Sequence, residues 1–155
     1  MTSFERAIGD GRPAIMTKMS CTKQLSVGNR AIDSAHKEAF GMIDKVVHLI
    51  VTRNVVALPD AFDLLENYLR TCFSVEQNIA QAAGFDFARH SLTHQDLLNK
   101  FQRIKNWLTA KNGAWSEFEE KGCIDSLKNC LIRHIKEDSK PLKIVLETHF
   151  YDFNS

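Results

Sequence analysis

Two short pieces of this chain place metal-capable side chains at helical spacing. Cys72 and Glu76 stand four positions apart, and so do His90 and His94. Helical residues at i and i+4 lie one above the other on the same face. Imidazole nitrogens and carboxylate oxygens together suit iron, manganese or zinc. The two pairs therefore predict that two helices each contribute a wall to a metal site.

The apolar residues around the two pairs indicate that both faces point inward. They recur at alternating steps of three and four, which is typical of a helix packed in a bundle. Those around the first pair are Phe62, Leu65, Leu69, Ile79 and Ala83, and those around the second are Phe87, Leu97, Phe101, Ile104 and Leu108. Ionisable side chains buried at such positions are costly unless they are paired or bind a metal. Metal binding is therefore favoured, and the alternative for the two histidines is an ordinary hydrogen-bonded pair in the core.

Two further helices carry the other candidate ligands. A helix over residues 33–53 has His36 on the apolar face that it shares with Phe40. A fourth helix carries His134 on its inward face, and Asp138 shares that face because it follows four residues later. The predicted site thus draws donors from four helices.

Local signals predict how these helices begin, end and connect. Gly84 closes the second helix, and the third, over residues 86–111, follows after a very short turn. So short a turn predicts that the two helices are antiparallel neighbours. Ser116 and Glu119 form a capping box at the start of the fourth helix. Pro141 ends or kinks that helix, and we expect the apolar tail behind it to pack over one end of the bundle.

The composition fits one globular, all-helical domain. The chain has 155 residues, of which 44% are hydrophobic and 25% are charged. It contains only three prolines and no alternating strand-like segment of useful length. We therefore predict an all-α fold, an up-down four-helix bundle over residues 21–155. Residues 1–20 have no sustained period and are interpreted as an N-terminal extension.

Charge and cysteine usage exclude several partners and compartments. A formal net charge of +1 gives no electrostatic reason to expect a nucleic acid or a membrane surface as a partner. No apolar run approaches the roughly 20 residues of a membrane span. The first residues lack the apolar core of a secretory signal, and the four cysteines form no CxxC motif. These features predict a cytoplasmic protein with reduced thiols.

Four blocks of the sequence resemble the hemerythrin family, especially the bacterial hemerythrin-like proteins. In chain order they are LSVGNRAIDSAHKEAF, CFSVEQ, GFDFARHSLTH and LKNCLIRHIKED, and the resemblance covers about residues 21–146. It implies a non-haem di-iron centre that takes up dioxygen. One iron would be held by His90, His94 and His134. The second would be held by His36 and the residue at position 72, with Glu76 and an aspartate of the fourth helix bridging the two.

Two departures from the family pattern fall on this chemistry. Position 72 is Cys72 where the family has histidine, and Ser139 stands where the family has its aspartate, with Asp138 one residue earlier. A thiolate is a common iron ligand, so Cys72 is a candidate; its alternative role is that of a small buried apolar residue. Asp138 is a candidate by its helical position, or it caps a frayed helix end. Ser139 is a poor bridge. The departures put the second iron in doubt.

The hypothesis that follows is a non-haem iron protein that binds or senses a diatomic ligand, dioxygen or nitric oxide. The centre would hold two irons, or one iron with three histidines and Glu76. A binding protein is favoured over an enzyme. The alternatives are a metal-free bundle that acts as an interaction or regulatory domain, and an iron enzyme that activates oxygen or peroxide.

Overall fold

A computed structural model describes residues 25–86 and 88–149 of the chain, with the side chains of residues 138, 140 and 147–149 excepted. The predicted N-terminal extension over residues 1–20 lies outside this part. The described residues form four long helices, one π-helical turn and a shorter last helix. These are α1 (Arg30–Val51), α2 (Leu58–Ala82), α3 (Ala88–Lys111), α4 (Glu117–His134), the π turn (Ile135–Ser139) and α5 (Lys140–His149). The prediction of an all-α four-helix bundle is confirmed.

The helix ends follow from their local sequence. The side chain of Asn29 accepts a hydrogen bond from the Ile32 amide, so α1 begins three residues earlier than the sequence pattern suggested. At the start of α4, the Ser116 hydroxyl accepts from the Glu119 amide, and the Glu119 carboxylate accepts from the Ser116 amide. The predicted capping box is therefore present. Gly84 adopts a φ of +75°, a conformation that favours glycine just after a helix.

The four long helices form a closed ring in which each packs against two neighbours. Helix α1 packs against α2, α2 against α3, α3 against α4, and α4 against α1. Helices α2 and α3 are joined by a short link and pack against each other, as expected of antiparallel neighbours. No helix in the described part of the chain is long and apolar enough to cross a membrane.

Two apolar clusters fill the bundle, and the polar candidates lie between them along the helices. The larger cluster includes Phe40 and Leu131, and the smaller one includes Ile32, Ile79 and Leu142. The smaller cluster joins α5 to the ends of α1 and α2, so the tail packs over one end of the bundle as expected. Along α1, α2 and the α4–α5 segment, the polar candidates fall between residues of one cluster and residues of the other. The candidate site is thus a polar layer within an apolar core.

Pro141 does not end the helical run. It occupies the second position of α5, directly after the π turn, and the helix continues beyond it. The interruption comes before it, in the π turn over Ile135–Ser139. Helix α4 therefore ends at His134, a candidate ligand, and the irregular turn follows directly.

Candidate metal centre

Four of the predicted ligands converge in the bundle interior. Glu76 from α2, His90 and His94 from α3, and His134 from the end of α4 each offer one ligand atom. These atoms all lie within 4.8 Å of one another, and all four residues are buried. Since three separate helices supply them, only the folded bundle brings them together. The set could hold a metal ion.

Glu76 is the centre of this arrangement. Its side chain is 1% exposed, and its Oε1 lies 2.8 Å from Nε2 of His90. Its Oε2 lies 3.6 Å from Nε2 of His94 and 3.8 Å from Nε2 of His36. Burial alone would raise the pKa of this carboxyl, but the surrounding imidazoles outweigh it and hold the pKa well below its usual value. The interior therefore contains a carboxylate anion.

His94 and His134 are held in the neutral form that a metal requires. Burial lowers the pKa of His134 to about 3, although the Glu76 carboxylate opposes the shift. Burial also lowers the pKa of His94. A neutral imidazole carries a nitrogen lone pair, which is the donor in metal binding. One anion and neutral nitrogen donors in a dry interior are the electrostatic setting of a cation site.

The donor geometry fits a single ion after small side-chain shifts. Metal–ligand bonds to nitrogen and oxygen are about 2.0–2.2 Å long, so two ligands of one ion lie at most about 4.0–4.4 Å apart. The ligand atoms of the four residues lie up to 4.8 Å apart, which exceeds that separation by a few tenths of an ångström. Within the described part of the chain, Oε2 of Glu76 and both ring nitrogens of His36 have no hydrogen-bond partner. Buried polar atoms of this kind are expensive, and a cation would satisfy them.

Aromatic packing fixes the orientation of the imidazoles. Phe73 of α2 stacks on His94, with ring centroids 3.8 Å apart and an angle of 7° between the planes. The same Phe73 meets His134 edge-on, with centroids 5.5 Å apart. Because Phe73 is itself buried, its ring restricts the torsions of both histidines. Positioning of this kind reduces the entropy lost when the rings close on an ion.

Ser139 is the one residue of the centre whose part the sequence reasoning underestimated. It is fully buried, and its hydroxyl donates a hydrogen bond of 2.9 Å to Oε1 of Glu76. The hydroxyl oxygen of Ser139 also lies 3.4 Å from Nε2 of His134. A regular helix would place Asp138, four residues after His134, on the ligand face. The π turn adds residues per turn and brings Ser139, five residues after His134, to that face. The side chain of Asp138 lies outside the described residues.

His36 and Cys72 fall outside the four-residue set. His36 of α1 is buried, and its contact with the centre is the 3.8 Å approach to Glu76. The Cys72 thiol donates to the backbone carbonyl of Ala35 at 3.6 Å. Burial raises the pKa of this thiol to about 12, which keeps it protonated near neutral pH. In this arrangement Cys72 is a buried thiol between α1 and α2. His48, the other histidine of α1, is exposed.

A groove of about 390 Å³ lies on the surface between α3 and α4, beside the centre. Its wall includes Thr93 and Leu97 of α3 and Cys130 and His134 of α4. His134 therefore belongs both to the groove and to the four-residue set. The groove therefore reaches one edge of the centre, at His134.

Comparison of the chain with protein-family models, with curated proteins and with solved structures finds no match. The class that the fold and site define is therefore an all-helical bundle with a buried cluster of histidine and glutamate able to hold a metal ion.

Proposed function

We propose that this bundle binds non-haem iron and that the iron takes up a diatomic ligand, dioxygen or nitric oxide. His90, His94, His134 and Glu76 would hold the ion. The observation that supports the proposal is the convergence of these four buried donors within 4.8 Å. A ferrous ion there would supply the electron density that binding of either gas requires.

The donor set narrows the choice of metal. Imidazole nitrogen suits zinc, copper, iron and nickel, whereas carboxylate and water suit magnesium, calcium and manganese. A mixed set of three imidazoles and one carboxylate favours iron, manganese or zinc. The resemblance of four sequence blocks to the hemerythrin family favours iron among these. The protonated thiol at Cys72 and the hydroxyl at Ser139 weaken the second iron position that the resemblance implies.

The dimensions of the centre favour a very small ligand. The four donor residues are at most 5% exposed, and Phe73 closes one side of the imidazoles. An organic substrate would have to displace this packing, which has the density of a protein interior. A diatomic molecule is small enough to approach from the groove beside His134, and it would need only one open coordination position. Binding or sensing therefore fits the geometry better than turnover of an organic substrate.

The test is ligand binding by the iron-loaded chain. The purified protein is loaded with Fe(II) without oxygen, desalted, and titrated with nitric oxide while the visible spectrum is followed. We expect about one nitric oxide per bound iron. His94→Gln should lose the iron, whereas His48→Gln, on the exposed side of α1, should match the unmodified protein.

Two outcomes would contradict the proposal. A chain that retains no metal after iron loading would instead be a metal-free bundle, retained as an interaction or regulatory domain. Air-dependent consumption of a reductant far beyond one equivalent per chain would identify an iron enzyme that activates oxygen or peroxide.

A further inference from the structure

We propose that Ser139 limits the centre to one metal ion, because it places a neutral hydroxyl beside Glu76 and His134 where a second ion would need an anionic ligand. This inference rests on the proposed function, because it concerns the number of ions that the same cluster takes. A buried serine would then determine whether the centre is mononuclear or dinuclear.

The contacts of Ser139 are specific to the site. Its hydroxyl is fully buried and donates to Oε1 of Glu76 at 2.9 Å, while Nε2 of His90 approaches the same oxygen to 2.8 Å. Oε1 is thus shared by a hydroxyl and an imidazole. Oε2 has no hydrogen-bond partner in the described part of the chain. Oε2 of Glu76 is therefore the oxygen available to bind a cation.

The backbone is irregular where this contact is made. In a regular α-helix, residue i+5 lies about 140° around the axis from residue i. Ser139 would then point away from His134. The π turn over Ile135–Ser139 closes i to i+5 hydrogen bonds and so places Ser139 near the histidine. Turns of this kind occur frequently at functional sites, and here the turn delivers a neutral hydroxyl to a carboxylate.

The net charge of the centre also disfavours a second ion. Glu76 is the one carboxylate in the four-residue set. A divalent ion bound to it leaves a single uncompensated charge in the interior. A second divalent ion would add two more, and unpaired buried charge is strongly unfavourable. An aspartate at position 139 would lie beside both Glu76 and His134. It would offset one of these charges and supply a second anionic ligand.

The experiment counts metal ions in matched variants. The full chain is stripped with a chelator, reloaded with Fe(II) without oxygen, desalted, and assayed for iron per chain. We expect one ion in the unmodified protein and two in Ser139→Asp. Ser126→Asp adds the same charge at an exposed position of α4 and should keep one ion. Ser139→Ala should keep one ion with roughly 10-fold weaker affinity, because residues that orient a ligand typically contribute 10–100-fold.

The failure of this inference is distinguishable from the failure of the proposed function. Two ions in the unmodified chain, or one in a folded Ser139→Asp protein, would overturn the role of Ser139 and leave iron binding intact. No ion in the unmodified chain would overturn both. If Ser139→Asp does not fold, the test uses the number of iron ions in the unmodified chain and the iron affinity of Ser139→Ala. An iron affinity of Ser139→Ala equal to that of the unmodified chain would overturn the inference.

Discussion

Acid should destabilise the metal-free bundle through His134. Burial lowers the pKa of this imidazole from 6.5 to about 3 in the folded protein. Since the folded-state pKa lies below the unfolded one, the unfolded chain takes up the proton first as the pH falls. The stability due to a neutral His134 is therefore complete above pH 6.5 and is lost progressively as the pH falls toward 3.

The size of this effect follows from the same shift. Each pH unit between the two pKa values corresponds to about 1.36 kcal/mol. At about pH 4, roughly 2.5 units below the unfolded-state value, the free energy of unfolding should have fallen by about 3 kcal/mol from this group. Burial lowers the pKa of His94 as well, so this residue also destabilises the folded protein in acid. The pKa of Glu76 is lowered too, and its contribution to stability is lost as the pH falls below the usual pKa of a glutamate. The total fall in the free energy of unfolding on acidification is therefore larger than the part due to His134.

Urea unfolding of the metal-free protein at about pH 7 and about pH 4 measures this contribution. His134→Gln keeps a polar side chain of similar size and removes the titration, so the variant should lose about 3 kcal/mol less than the unmodified protein on acidification. His48→Gln, at an exposed position, should lose as much as the unmodified protein. An equal loss in His134→Gln and the unmodified protein would refute the assignment of a buried, neutral His134.

Three further substitutions test separate parts of the structure. Phe73→Ala should cost about 3 kcal/mol of stability and weaken metal affinity about 10-fold, because the stacked ring positions His94; Phe62→Ala, also in the core, should cost as much in urea unfolding but leave the affinity unchanged. Cys72→Ala should leave the metal count and the visible spectrum unaltered, and loss of a thiolate-to-iron band would show that the sulfur is a ligand. Ser116→Ala should lower the thermal stability by about 1 kcal/mol through loss of the cap, and an unchanged melting temperature would contradict the capping box.

Helical periodicity was sufficient to predict the bundle and the burial of its polar residues. Glu76, His90 and His94 each replace an apolar residue on an inward face, and all three are buried where the pattern placed them. The capping box at Ser116 was equally readable, because it depends only on residue types three positions apart. Short-range rules of this kind work because α-helices repeat regularly.

The irregular turn could not be predicted, because a π turn leaves no clear mark on local propensity. Regular spacing put Asp138 on the ligand face and treated Ser139 as a poor substitute bridge. The structure brings Ser139 into the site. The five-residue spacing in the family resemblance was the available signal for this position. Whether His36 approaches closely enough to share the ion was also beyond periodicity, since that depends on how far apart α1 and α3 pack.

Iron X-ray absorption of the iron-loaded chain tests most directly whether these donors converge on an ion. We predict a first coordination shell of nitrogen and oxygen with the scattering signature of imidazole rings, and no sulfur at about 2.3 Å, the length of a metal–thiolate bond. His94→Gln should lose this shell. A shell made only of oxygen, or one dominated by sulfur, would show that the buried histidines and Glu76 do not hold the metal.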